Sequence, residues 1–313
     1  MKADGLPAPE WGIESLLQQL QVLLPDISVE VLPSVASTNT LLLERARQAA
    51  GGDLAPCLLV AEEQTRGRGR LGRDWVSRRG ASLTFSLALS LAPTQWEGLS
   101  LAVGLALAEA LEPMEPFNAH AGAPEAEPQR RPQLQLKWPN DLWLLQASAA
   151  TVHGGRKLGG VLIETIGIGS RRLCVIGVGL NVLPLPDEGL THGLAALQEL
   201  VAQAQASTNS SRSAAAGSAT GGPVSAPAVL ARIAMPLVHA LLRFEREGFA
   251  PLAAAYRRRD LLLGQRVHTT GPQAMQGVCE GVDADGALLL RCAGVLQRVV
   301  SGEVGVRWQP GAG

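Results

Sequence analysis

The sequence predicts an α+β protein in which a larger mixed domain, residues 1–262, is followed by a small all-β domain, residues 263–313. Two observations carry this. Before Gly264, helical periodicities alternate with apolar, strand-like runs. From Gly264 onward the chain turns to short strands and tight turns, the pattern of a small β-barrel.

Residues 12–24 place Ile13, Leu16, Leu17, Leu20 and Leu24 on one helical face, and Pro25 ends the helix. A strand follows at Ile27–Leu32. Ser37, Thr38 and Asn39 then offer N-caps for a helix over Thr40–Ala50, closed by Gly51-Gly52. Leu58–Ala61 and Leu83–Ser90 read as buried strands around a Gly/Arg loop, 64–80, and Leu99–Leu111 reads as an apolar helix. Strands are predicted at Leu134–Trp138, Leu142–Leu145, Leu158–Thr165 and Leu173–Val182, and helices at 193–201, 228–247 and 250–259, the last ending in an exposed run, Arg257-Arg258-Arg259. Segments 112–133, 146–155 and 202–227 lack any periodicity that could join a core and read as mobile surface insertions. The final domain is assigned strands at Arg266–Thr270, Gly277–Val282, Leu288–Arg291, Gln297–Val300 and Val304–Trp308, with a hairpin turn at Asp285-Gly286.

The 27 basic and 28 acidic residues nearly cancel, so a globally basic, nucleic-acid-binding surface is not expected. The longest apolar runs, Leu83–Ala92 and Leu99–Leu111, are short for a membrane span. The first residues lack the apolar core of a secretory signal. Cys57, Cys174, Cys279 and Cys292 form no C-x-x-C pair. Reduced thiols in a cytoplasmic protein are the expectation. The basic residues comprise 24 arginines and three lysines, Lys2, Lys137 and Lys157. In so lysine-poor a chain, a lysine inside a motif is a candidate for chemistry that arginine cannot perform.

The loop Gln64–Arg73 contains a formal G-x-G-x-x-G at 67, 69 and 72, but it runs toward a strand through Asp74-Trp75 and opens no helix, so a dinucleotide-binding reading is rejected. Its four arginines, at 66, 68, 70 and 73, suit an anionic ligand or a solvated basic loop. Lys137-Trp138-Pro139-Asn140-Asp141 presents a polar pair at a proline turn. Lys157 opens a strand just ahead of Gly159-Gly160, and Gly177 and Gly179 alternate on one face of a strand ending at Asn181. Strand glycines mark close approach by backbone or ligand.

In order, S-T-N, Q-x-x-G-R-G-R-x-G-R, K-W-P-N-D, K-L-G-G-x-L-I-E, G-x-G-L-N-V and a C-terminal G-E-V-x-V-R closely resemble the biotin protein ligases, over about residues 34–182 and 264–308. The resemblance implies a mixed-sheet catalytic domain of the biotin/lipoate ligase type followed by an SH3-like barrel. The implied activity joins biotin to ATP as biotinyl-5′-AMP, then passes biotin to a lysine of a carrier domain, typically that of acetyl-CoA carboxylase. By the resemblance, Ser37, Thr38, Asn39, Gln64, Gly67, Arg68 and Gly69 would bind biotin, with Trp75 closing over it. Lys157 and Gly160 would bind biotin too, with Lys157 reaching its carboxyl group and the α-phosphate. Arg68, Arg70, Lys137, Asn140, Gly177, Gly179, Asn181 and Arg307 would serve ATP and the adenylate. Lys157, Arg70 and Asp141 would be catalytic, with Asp141 receiving or orienting the carrier amine. Mg²⁺ would be held mainly by the substrate phosphates. Loop 64–80 and segment 183–193 are the expected lids over a hydrolysable mixed anhydride.

Residues 1–33 precede the Ser34–Asn39 motif. A winged helix needs roughly 60 residues, so the expectation is a ligase without specific DNA binding. Arg66 stands where the family commonly has a small residue. The rival readings are a lipoate–protein ligase, disfavoured by the S-T-N and arginine-loop elements, and an inactive biotin- or adenylate-binding regulator, disfavoured by Lys157.

Overall fold

The computed structural model describes residues 10–49, 55–112, 133–145, 155–168, 171–185, 193–203, 224–270, 274–300 and 306–308. Most of the three predicted insertions lies outside these residues. The fold is mixed α+β. Its main sheet contains β1 (Ser28–Leu32), β2 (Cys57–Ala61), β5 (Ser82–Ser90), β6 (Leu134–Lys137), β7 (Asp141–Leu145), β8 (Gly155–Ile168) and β9 (Arg171–Asn181), in the order β1-β2-β5-β9-β8-β7-β6. β1 and β2 are parallel, whereas β2–β5, β5–β9, β6–β7 and β7–β8 are antiparallel.

The chain packs as two compact units, each described by itself: Met1–Leu91, Leu162–Pro186 and Ala196–Met235 in the first, Ala92–Val161, Asp187–Ala195 and Pro236–Gly313 in the second.

In the first unit, α1 (Ile13–Gln21) buries Leu16 and Leu20, as its spacing requires. α2 (Thr38–Gln48) starts two residues before the predicted Thr40, because Ser37 is the cap: its extended backbone lets its hydroxyl accept from Thr40 N. Leu42, Leu43 and Ala46 of α2 pack with Cys57, Leu59, Ala88, Leu173 and Val175 of the sheet. Residues 197–203 form α4. The predicted start at 193 is too early, since the backbone of 193–195 bonds instead to Lys157 within the second unit.

In the second unit, α3 occupies Leu99–Leu111, the predicted bounds. After a 3₁₀ turn at Ala250–Leu252, α6 (Ala253–Arg259) ends in the three arginines. The exposed run expected there needs correction: Arg257 and Arg258 face solvent, but Arg259 is 1% exposed. Its guanidinium donates to Glu112 Oε2 at 2.9 Å, to Leu134 O at 2.8 Å and to Glu112 O. The Glu112 carboxylate also accepts from the N–H groups of Gln133 and Leu134, at 2.9 Å each. A buried guanidinium needs such partners. Here they tie the end of α3 to the start of β6.

β10 (Arg266–Thr269), β11 (Gln276–Val282), β12 (Leu288–Cys292), β13 (Val295–Val299) and β14 (Val306–Trp308) form a five-stranded antiparallel sheet in the order β13-β12-β11-β10-β14.

α5 (Ala226–Glu247) begins within the expected insertion 202–227. Among the described residues it alone is long and apolar enough to cross a membrane. Its apolar residues, including Leu230, Ile233, Leu237, Leu241 and Phe244, recur at three- and four-residue spacing and are buried, while Arg232, Arg243 and Arg246 stay on the other side. That is the pattern of an amphipathic core helix.

Candidate functional site

Two groups of predicted site residues assemble, one in each unit. In the first, the segment before α2 lies beside the segment after β2: Val35 N donates to Glu63 O, Thr65 N to Val35 O and Arg66 N to Ala36 O. This pairing carries Ser37-Thr38-Asn39 to Gln64, whose Oε1 accepts from Thr38 N at 2.7 Å and from Thr38 Oγ1 at 3.1 Å. Ser77 Oγ accepts from Gln64 N at 2.8 Å and fixes the far side of that residue.

The floor beneath them is set by sheet register. On β5, Ser82, Thr84 and Ser86 share one face and are all but completely buried. They pair across to Asn181, Gly179 and Gly177 of β9. A stripe of hydroxyls therefore runs beside two glycines and the Asn181 amide. A Cβ on Gly177 would lie 2.3 Å from Asn39 Oδ1, and one on Gly179 would lie 2.4 Å from the Trp75 ring. The alternating glycines thus admit Asn39 and Trp75 to the sheet surface.

Trp75 arrives on a small hairpin of β3 (Gly67–Arg68) and β4 (Asp74–Trp75), in which Gly67 pairs with Trp75. The approach is so close that a Cβ on Gly67 would lie 2.4 Å from Trp75 O. The turn between the strands is a 3₁₀ turn at Arg70–Gly72 with Leu71 at φ 55°, and no helix follows, in keeping with the rejected dinucleotide reading. Gly69 N closes it by donating to Arg73 O at 2.7 Å. Arg66, Arg68 and Arg73 are exposed, and their guanidinium groups make no hydrogen bond or ion pair among the described residues; Arg70 is half-buried. Trp75 Nε1 is buried and, among the described residues, makes no hydrogen bond.

In the second unit, β7 carries the other predicted residues. Asp141 pairs with Lys137 of β6 on one side and Gly160 of β8 on the other. The β7–β8 register shifts between Leu142 and Trp143: Leu142 faces Gly159, but Trp143 faces Lys157. Leu158 is the extra residue of a bulge, and one extra residue reverses the face on which later side chains emerge. Lys157 therefore joins Lys137, Asp141 and Trp143 on one face. Its Nζ sits 2.8 Å from Asp141 Oδ1, and the Lys137 ammonium lies 4.9 Å from the centre of the Trp143 ring. Gly160 leaves room for the ion pair, since a Cβ there would lie 3.2 Å from Asp141 Oδ1.

Asn140 is locked onto β8: its Nδ2 donates to Val161 O at 2.8 Å, and its C=O accepts from Val161 N at 3.0 Å. The preceding turn is held by Ser100 Oγ, which donates to Pro139 O at 2.9 Å, and by buried Trp138, whose Nε1 donates to Gly286 O at 3.0 Å. Arg307 lies opposite His268 in the β10–β14 register. Among the described residues, no group of three or more His, Cys, Asp or Glu side chains could hold a metal ion.

Ser86, Ser77, Trp143 and Glu164 have no role assigned from the sequence. For Ser86 a signal existed: Ser82, Thr84 and Ser86 alternate with apolar residues through the first half of the strand. Glu164 closes the K-L-G-G-x-L-I-E motif, but its contacts, like those of Trp143, depend on register and are not legible there.

Comparison with known proteins gives one family throughout. The Biotin/lipoate A/B protein ligase family pattern matches residues 31–181, and the Biotin protein ligase C terminal domain matches residues 262–307. The bifunctional ligase/repressor BirA of Escherichia coli (strain K12) is 32% identical over 314 residues, covering 98% of this chain and 82% of its own. The biotin–[acetyl-CoA-carboxylase] ligase of Mycobacterium tuberculosis is 32% identical over 281 residues, 88% of each chain. Among solved structures, the biotin protein ligase from Aquifex aeolicus in complex with biotin and ATP has a TM-score of 0.63 at 25% identity, covering 90% of this chain and 99% of that one.

Proposed function

The chain belongs to the biotin protein ligase family, and from that premise we propose that it joins biotin to ATP as biotinyl-5′-AMP and transfers biotin to a lysine of a carboxylase carrier domain. The observation that carries this reading is the buried stripe of Ser82, Thr84 and Ser86 beside Gly177 and Gly179, roofed by Asn39 and Trp75. It is a narrow polar floor suited to a small ring with hydrogen-bonding edges.

In the first step a biotin carboxylate oxygen attacks the α-phosphorus of ATP, and the bond to the bridging oxygen breaks to release pyrophosphate. Two like charges about 4 Å apart repel by roughly 4 kcal/mol at an effective dielectric near 20. Lys157, Arg68 and Arg70 oppose that repulsion. Lys157 is suited to it because a compact ammonium can follow an oxygen that moves from carboxylate to anhydride. The hard oxygens of Asp141 and Asn140 suit Mg²⁺ alongside phosphate; the ion, when bound with ATP, screens the polyphosphate charge.

In the second step the carrier's lysine amine attacks the acyl carbon, AMP leaves, and the amine loses a proton to Asp141. Lys157 must first exchange Asp141 for the ligand's oxygens. Lys137 and Arg307 serve the nucleotide phosphates. We further propose that residues 1–262 form the catalytic domain and 263–313 an SH3-like barrel, a division supported by the two family matches. Specific operator binding is not part of the proposal, in keeping with a net charge of −1.

The test is incubation with ATP, Mg²⁺ and either biotin or lipoate, with and without a carrier domain, followed by mass measurement. Biotinyl-AMP without carrier and a carrier heavier by one biotinyl group are expected. A carrier that gains lipoate and never biotin would overturn the reading.

A further inference from the structure

The hydroxyls and amides above β5 form a row of oxygens that can be counted hydrogen by hydrogen. Asn39 Nδ2 donates to Glu164 Oε2 at 2.9 Å and to Leu162 O at 3.2 Å, which turns Asn39 Oδ1 toward Ser86. Ser86 Oγ lies 2.6 Å from both Asn39 Oδ1 and Thr38 Oγ1. Thr38 Oγ1 in turn lies 3.1 Å from Gln64 Oε1, whose oxygen is fixed on that side because Thr38 N also donates to it. A hydroxyl carries one hydrogen, and an amide oxygen carries none. The three contacts along this row therefore have two hydrogens between them. Turning Asn39 over would supply the missing hydrogen, but would set its oxygen against the Glu164 carboxylate and a carbonyl.

We propose that Glu164 is a positioning residue for ring recognition: by fixing the polarity of the Asn39 amide, it keeps this row one hydrogen short and so selective for a ligand that brings N–H donors. The row then favours a cyclic urea, with its two N–H groups, over a ring that offers no donor. This rests on the biotin reading. It adds that the discrimination is set by a carboxylate one residue removed from the row, acting through Asn39. Ser86, at the centre of the row and fully buried, relays the polarity.

The test is biotin binding by calorimetry, alongside steady-state adenylation, in the wild-type chain, Glu164→Gln, Ser86→Ala and the double variant. A glutamine amide can present either an oxygen or an NH₂ group to Asn39, which weakens the constraint at nearly constant shape and leaves only the Leu162 carbonyl to hold it. Glu164→Gln is expected to raise Kd and KM for biotin about tenfold, the size of one hydrogen bond lost, with kcat and the KM for ATP unchanged. Desthiobiotin, which keeps the cyclic urea, is expected to lose the same factor. The double variant is expected to lose less than the product of the two single losses, because both act on one row. Unchanged biotin affinity in Glu164→Gln would overturn the inference, as would equal losses for biotin and ATP with a lowered Tm. A wild-type chain that bound no biotin would overturn the function with it. If Glu164→Gln does not fold, Ser86→Ala carries the same expectation and the same refutation.

Discussion

Lys157 Nζ and Asp141 Oδ1 stand 2.8 Å apart on the same sheet face, with side chains 32% and 21% exposed. In the proposed reaction these groups serve different steps, and the ion pair has to open for either to act. Lys157→Arg keeps the charge but replaces a mobile point with a rigid fork. Adenylate formation, followed by pyrophosphate release, is expected to fall about 100-fold, the scale of one lost transition-state donor. Near-normal release would remove the special role of the lysine.

Asp141→Asn separates the two steps. Adenylate formation should survive within a few-fold, whereas biotin transfer to carrier, read by mass, should fall about 100-fold for loss of a proton acceptor. Equal loss in both steps would show that Asp141 acts chiefly by holding Lys157.

Gly179 makes room for the Trp75 indole at a distance no Cβ tolerates. Gly179→Ala should therefore destabilise the protein by about 1–3 kcal/mol, as overpacking does, measured by urea titration. Adding Trp75→Ala removes the clash, so the double variant should lose less than the sum of the single changes. Strict additivity would mean that the indole does not sit there in solution.

The hairpin Gly67–Trp75 is held by two residue pairs and carries two exposed arginines, Arg68 and Arg73. So short a ladder opens readily. Hydrogen exchange should show residues 64–80 and 183–193 gaining protection with biotin and ATP together. Exchange indifferent to ligand in both segments would exclude them as lids.

Burial pushes the thiols of Cys174 and Cys279 up to about 12, and raises that of Cys57 above its ordinary value. A raised thiol pKa means less thiolate at a given pH. Alkylation of the native protein at pH 8 should label Cys292, which is partly exposed, and spare the other three until the chain unfolds. Native labelling of Cys174 would contradict its burial.

The sequence by itself determined the order and type of almost every element, because helical and strand periodicities are local. It also determined that the Gly/Arg loop opens no helix, that Gly177 and Gly179 share a face, and that the motifs occur in the order of one family. Tertiary structure alone decided which face each strand presents. The bulge at Leu158 brings Lys157 beside Asp141; without it the same residues would pair with Lys157 on the opposite face. Likewise Asn39 meets Glu164 across 125 positions of sequence, and Arg259 is buried only because Glu112 and Leu134 fold back to accept its hydrogens. The physical reason is that side chains alternate along a strand with a period of two, so a shift of one residue reverses every face. That shift is set by pairing between distant strands, which local composition does not encode.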